Sequence, residues 1–228
     1  MNPRDGAELV YVPAGEFTMG SEDGEPDERP QRRVHLDAFW MYRYPVTVAQ
    51  YRRFCNETGR EMPEAPEWGW LDDHPIVKVR WYDAQAYADW AGVSLPTEAQ
   101  WEKAARGTDG RKWPWGNGFH ALKAVCSVGK RSQPSTAPVG SIPSGASPYG
   151  CLDMAGNVWE WCADWYDPEY YAQAPNRNPR GPEIGQRRVL RGGSRAECDW
   201  ELLRASYRNR IPPGKRGDVN GFRCAAGP

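Results

Sequence analysis

What the chain lacks narrows its roles first. No apolar run approaches the roughly 18 residues of a membrane helix. The opening Met1-Asn2-Pro3-Arg4-Asp5-Gly6 has no basic stretch leading into an apolar one. Neither a membrane span nor a secretion signal is therefore expected, and the cytoplasm is the expected compartment. Charge of one sign is missing too: 29 Lys+Arg against 30 Asp+Glu leave a net charge of -1. That balance removes the usual electrostatic case for nucleic acid or an anionic membrane as partner, although arginine is dense after Arg187. His35, His74 and His120 lie far apart, and neither HExxH nor CxxC occurs, so zinc is not expected. The cysteines at 55, 126, 151, 162, 198 and 224 are scattered, which in a cytosolic chain reads as free thiols, most of them buried.

What is abundant is turn-forming and aromatic. Among 228 residues stand 12 Trp, 24 Gly and 21 Pro, so the expected fold is one domain with many turns, few long elements and a ring-rich core. A long-helix bundle is excluded. Residues 9–20 read as two short strands around Pro13-Ala14-Gly15, and residues 33–42 alternate as one strand. Thr47-Val48-Ala49-Gln50 and Thr97-Glu98-Ala99-Gln100 are capping boxes, each opening a helix that ends at a glycine, Gly59 and Gly107. A third helix spans residues 81–90, with Trp81, Ala84, Tyr87 and Ala88 on one face. Short strands fit around Val158-Trp159-Glu160-Trp161 and Val189-Leu190-Arg191. Asp83, Asp89, Glu98 and Glu102 carry no acid/base spacing and are expected to be solvated or capping groups.

Seven motifs in order carry a resemblance across nearly the whole chain. They are residues 12–20, Pro45-Val46-Thr47, residues 95–107 (Leu95 to Gly107), Pro114-Trp115-Gly116-Asn117, residues 149–161, Arg191-Gly192-Gly193-Ser194 and Gly221-Phe222-Arg223. Through them the chain resembles the formylglycine-generating-enzyme family, a variant of the C-type lectin fold. The resemblance implies an irregular α+β domain over residues 1–228, with small antiparallel sheets, about three helices and long loops.

Two metal expectations follow from it. Asp153-Met154-Ala155-Gly156-Asn157-Val158-Trp159-Glu160 offers hard oxygen donors in a short turn, which suits Ca²⁺. Carried over from catalytic relatives, the ligands are the Asp153 and Glu160 side chains with the carbonyls of Gly156 and Val158. The alternative is that Asp153 caps a turn and Glu160 pairs with an arginine. A second calcium site of the family is expected to be lost, because Val125-Cys126 stands where an asparagine is usual. The copper oxidases of the family hold Cu(I) between two cysteines five apart, after Gly-Gly-Ser. Here one of those positions falls near Trp200, and Cys198 has no cysteine five residues away. Copper is therefore not expected.

Two functions remain. The first is a ligand-binding protein resembling the variable proteins of diversity-generating retroelements, displaying residues 195–220 between conserved-looking flanks. Its candidate contacts are Arg195, Ala196, Glu197, Asp199, Trp200, Tyr207, Arg208, Arg210, Lys215 and Asp218, an aromatic-and-arginine composition typical of binding hot spots. Leu202, Leu203 and Ala205 are expected to pack inward, with Arg191, Arg204 and Arg223 as scaffold. The partner is a protein or other macromolecule, and the chain is expected to be a monomer. The second function is a formylglycine-generating copper oxidase acting on a cysteine of a sulfatase.

Overall fold

Local sequence sets the helices, and distant pairing sets almost everything else. The structure is a computed structural model that describes residues 1–128 and 135–227. Strands β1 (Leu9–Val12), β2 (Gly15–Met19), β3 (Arg32–Leu36) and β4 (Phe39–Tyr42) come first. Helices α1 (Val48–Thr58), α2 (Trp81–Ala91) and α3 (Glu98–Arg106) follow. After them come β5 (Trp159–Trp165), the single-turn α4 (Tyr170–Gln173), β6 (Arg188–Arg191), β7 (Asn209–Ile211), β8 (Asn220–Gly221) and β9 (Ala225–Ala226). Both capping boxes form: Thr47 and Thr97 accept from the backbone N–H of Gln50 and Gln100, whose side chains reach back to the capping residue. Gly59 and Gly92 end α1 and α2 in the left-handed conformation, at φ 69° and 70°, which glycine adopts without strain.

The strands depart from expectation in two respects. Residues 33–42 break at Asp37-Ala38 into β3 and β4, which join different sheets: β2 pairs with β3, and β1 pairs with β4 and through it with β9. Thus β1 and β2, adjacent in sequence, are not partners. The third sheet runs β7-β6-β5-β8, and its β5–β8 pair is parallel rather than antiparallel. That pairing brings the Gly221-Phe222-Arg223 end beside Trp159 and Glu160.

The core is ring-rich. Phe222 is fully buried and meets Tyr87 edge-on at 5.3 Å and Tyr51 at 6.4 Å, joining α1 and α2 to the C-terminal strands. Trp101 of α3 packs with Phe17, Val34 and Val189 in a second cluster. Trp113, Cys126 and Leu203 centre a third. Five cysteines are buried and Cys198 is exposed. Among the described residues no helix is long and apolar enough to cross a membrane.

Candidate ligand-binding surface and the charge network beneath it

The Arg191-Gly192-Gly193-Ser194 turn links core to surface. Gly192 and Gly193 have φ of 97° and 74°, and a side chain on Gly193 would meet Leu203 Cδ2 at 2.3 Å. Only glycine fits that approach. The Gly192 carbonyl accepts from Gly156 N at 2.8 Å, and the Asn157 carbonyl accepts from Arg195 N at 3.0 Å, so the 153–160 turn and the start of the 195–220 segment are bonded together.

Beneath this surface lies a network of buried ion pairs that the sequence did not reveal. Glu98 and Glu102, expected to be solvated, are 2% and 0% exposed. Arg208 Nε and Nη2 grip the two oxygens of Glu98 at 2.8 and 3.0 Å, and Arg191 Nη2 donates to Glu102 at 2.5 Å. Arg106 Nη1 also donates to Glu102, at 2.8 Å. Burial works against the ionised form of Glu98, but Arg208 and Arg191 outweigh it and hold the carboxyl below its ordinary range. Arg204 clamps buried Glu28 through two bonds of 2.7 and 2.8 Å. Arg191, Arg204 and Arg223 are thus scaffold, as expected. Arg208 is a correction: expected to meet a ligand, it is 1% exposed and belongs to the same scaffold. Its guanidinium can be buried because Glu98, the carbonyls of Asp27 and Asp167 and the Tyr171 ring take up its charge and donors.

The other candidate contacts divide. Ala196, Asp199, Trp200 and Lys215 are exposed, and Glu197, Tyr207, Arg210 and Asp218 are half-buried. Arg195, also expected to be displayed, is instead nearly buried, with its guanidinium 4.5 Å over the Trp68 ring and bonded to Asp218 at 2.9 Å. Tyr207 lies beside Trp159, ring centres 5.9 Å apart, and the Trp159 indole donates to Glu197 at 2.9 Å. Trp200 sits further off, against Trp113 and Phe119. Leu203 and Ala205 are fully buried and Leu202 half-buried. Three acidic residues near Tyr207 and Arg210 (Glu25, Asp27 and Glu169) were missed; they lie far away in sequence, and no motif there signals them.

The donors expected for calcium are not equivalent. Both oxygens of Glu160 are engaged, by Arg223 Nε and Nη2 at 2.7 Å each, and one of them also accepts from Trp101 at 2.7 Å. Glu160 therefore brings no uncompensated charge. The Gly156 carbonyl accepts from Val158 N at 2.9 Å. Asp153 is different: burial pushes its carboxyl up to about 6, against a 2.7 Å bond from Gly140 N and the smaller influences of Arg223 and Asn157, which favour the ion. Among the described residues no guanidinium is bonded to Asp153, so of the two carboxyls it is the one open to a cation. Among the described residues, no group of three or more His, Cys, Asp or Glu is placed to hold a metal. At the copper position Trp200 is packed among rings, and the exposed Cys198 thiol donates to the Ala196 carbonyl at 3.6 Å. Burial pushes Cys151 up to about 11 and Cys162 and Cys224 well above the ordinary thiol value, against formation of thiolates.

Fold and surface together define an irregular α+β domain with a charged, tightly paired interior and a loop-built face. The family model for the sulfatase-modifying factor enzyme 1-like domain matches residues 1–227, and the chain belongs to that family. It is 36% identical over 286 residues to the formylglycine-generating enzyme of Thermomonospora curvata, covering 96% of this chain and 93% of that one. It is also 38% identical over 242 residues to the serine/threonine-protein kinase pkn1 of Chlamydia pneumoniae, covering 96% of this chain but 38% of the kinase. Among solved structures, PvdO from Pseudomonas aeruginosa superposes with a TM-score of 0.88 at 29% identity, covering 100% of this chain and 97% of PvdO. Treponema denticola variable protein 1 follows at 0.80 and 25%, covering 96% and 95%.

Proposed function

We propose that the chain is a ligand-binding protein that presents parts of residues 195–220 to a protein or other macromolecular partner. The observation that carries this reading is the division of that segment. Arg204 and Arg208 anchor it from beneath through buried carboxylates, while Ala196, Asp199 and Lys215 are exposed and Trp200, 41% exposed, rests one edge on Trp113 and Phe119. A surface can vary in chemistry only where the scaffold does not depend on it for packing. The fold shared with Treponema denticola variable protein 1 supports the same reading. A cation at Asp153 would rest on one carboxylate and therefore bind weakly, since affinity follows the number of charged ligands.

The likeness to the Thermomonospora curvata formylglycine-generating enzyme over 93% of its length favours a second reading, a copper oxidase acting on a cysteine of a partner polypeptide. Anaerobic Cu(I) titration, followed by thiolate-to-copper absorption, and then a separate turnover assay of a cysteine peptide with dioxygen as oxidant, separate the two. Binding no tighter than that of a Cys198→Ser variant, with no conversion of a cysteine peptide, supports the ligand-binding reading. Stoichiometric Cu(I) uptake lost in Cys198→Ser, with peptide oxidation, replaces it with the oxidase.

A further inference from the structure

An open cleft of about 690 Å³ lies where three segments distant in sequence converge: Glu25 to Asp27, Tyr166 to Glu169, and Tyr207 to Arg210. Its size is that of a site for a small molecule or a few side chains. Tyr166 and Tyr207 line it with aromatic surface, and Glu25 and Glu169 are exposed at its edge. Asp27 is 8% exposed and accepts from the Tyr166 hydroxyl at 2.6 Å. Its backbone is fixed as well, since its carbonyl accepts from Arg208 at 2.7 Å, and Arg208 is itself locked to Glu98. The cleft is therefore preorganised by the buried network.

The charge of the cleft is unbalanced. Three carboxylates line it against one guanidinium, that of Arg210. Arg210 is a loose partner: its side chain is 39% exposed and its contact with Asp27 is a long 3.5 Å. It lies over the Tyr166 ring at 4.9 Å, which shows where a cation rests against that face. Beyond Tyr207 stands a further carboxylate. Trp159, against which Tyr207 lies, and Ser194 both donate to Oε1 of Glu197, at 2.9 and 3.1 Å, which fixes that side chain.

We propose that this cleft, lined by Glu25, Asp27, Tyr166, Glu169 and Tyr207, binds an arginine-bearing segment of a protein ligand. The inference deepens the ligand-binding reading and rests on it. A ligand guanidinium takes the Arg210 position over the tyrosine, bonding carboxylates in pairs as an ammonium cannot. Because the edge carboxylates are exposed, binding weakens as salt rises.

The test uses the full chain and hexa-arginine peptide in calorimetry at low and at 0.3 M salt, with hexa-glutamate and spermine as controls. The expected result is salt-sensitive binding of hexa-arginine, weakened about tenfold or more by Glu25→Gln with Glu169→Gln and by Tyr207→Ala. Arg210→Ala, which removes the internal competitor, is expected to tighten it, an effect that mere structural damage would not give. Unchanged thermal melts verify folding of each variant. No binding at millimolar peptide, binding indifferent to these substitutions, or hexa-glutamate binding equally well overturns the proposal. Spermine binding as tightly as hexa-arginine overturns it in favour of a free polyamine. Failure here with no Cu(I) uptake leaves the ligand-binding reading standing, whereas Cu(I) uptake with peptide oxidation removes both.

Discussion

Replacing Arg208 by alanine removes the centre of the buried network. Arg208 donates to both oxygens of Glu98 and to the carbonyls of Asp27 and Asp167, and its guanidinium lies 4.2 Å over Tyr171. Without it, Glu98 keeps one longer charged contact, 3.3 Å from Arg191, in a place only 2% exposed. Breaking a buried pair by deleting one partner leaves an uncompensated charge and costs about 3–5 kcal/mol. Arg210→Ala is the control: its pair with Asp27 is partly exposed and long, so its loss costs about 1 kcal/mol or less. The pH dependence follows from the same charges. In the wild type Glu98 titrates below its ordinary 4.5, so its contribution to stability is present above about 4.5 and lost as pH falls through the folded value. The Arg208→Ala deficit is therefore largest near pH 7 and shrinks below about pH 4.5. Urea unfolding of both variants at pH 7 and pH 4 measures this. An Arg208→Ala cost under 1 kcal/mol at pH 7, or one that grows on acidification, would refute the scaffold assignment.

Asp164 gives a second pH signature. Burial and then neighbouring Glu98 raise it to about 8 from 3.8, so this group lowers stability as pH rises between those values, by at most about 1.4 kcal/mol per pH unit. Asp164→Asn keeps an oxygen to accept from Glu98 N and is expected to gain on the wild type steadily from pH 4 to 8; parallel stability curves would contradict this. For Asp153, calcium is expected to raise the melting temperature only at millimolar concentration, and Asp153→Asn to abolish the response. A micromolar response, or one that survives the substitution, would show that Glu160 takes part in spite of Arg223. Phe222→Ala, a deletion from a fully buried ring cluster, is expected to cost about 3–5 kcal/mol by thermal unfolding, and a cost below 1 kcal/mol would misplace that core.

Much of the fold was legible because its signals are local. The two capping boxes and the helix-ending glycines each declare themselves within a few residues. The break at Asp37-Ala38 was not legible, since alternation continues through it and only the choice of different sheet partners separates β3 from β4. Glu98 and Glu102 read as solvated or capping groups because, Arg106 apart, the arginines that pair with them lie about ninety residues or more onward. Arg208 was misplaced for a related reason: arginine beside aromatics has the composition of a binding surface and equally that of a buried clamp. Among the candidate contacts, Tyr207 and Arg210 are half-buried, and the carboxylates opposite them come from the first thirty residues and from the α4 region, beyond any sequence spacing.

The most direct measurement is the stability of one variant carrying Ala196→Ser, Asp199→Asn and Lys215→Gln together. These positions are exposed, and such substitutions usually stay within about 0.5 kcal/mol each. The expected result is a cooperative urea transition with an unchanged slope and a total cost below about 2 kcal/mol. A loss above about 4 kcal/mol, or a broadened transition, would show that this face belongs to the core and is not a surface free to meet a ligand.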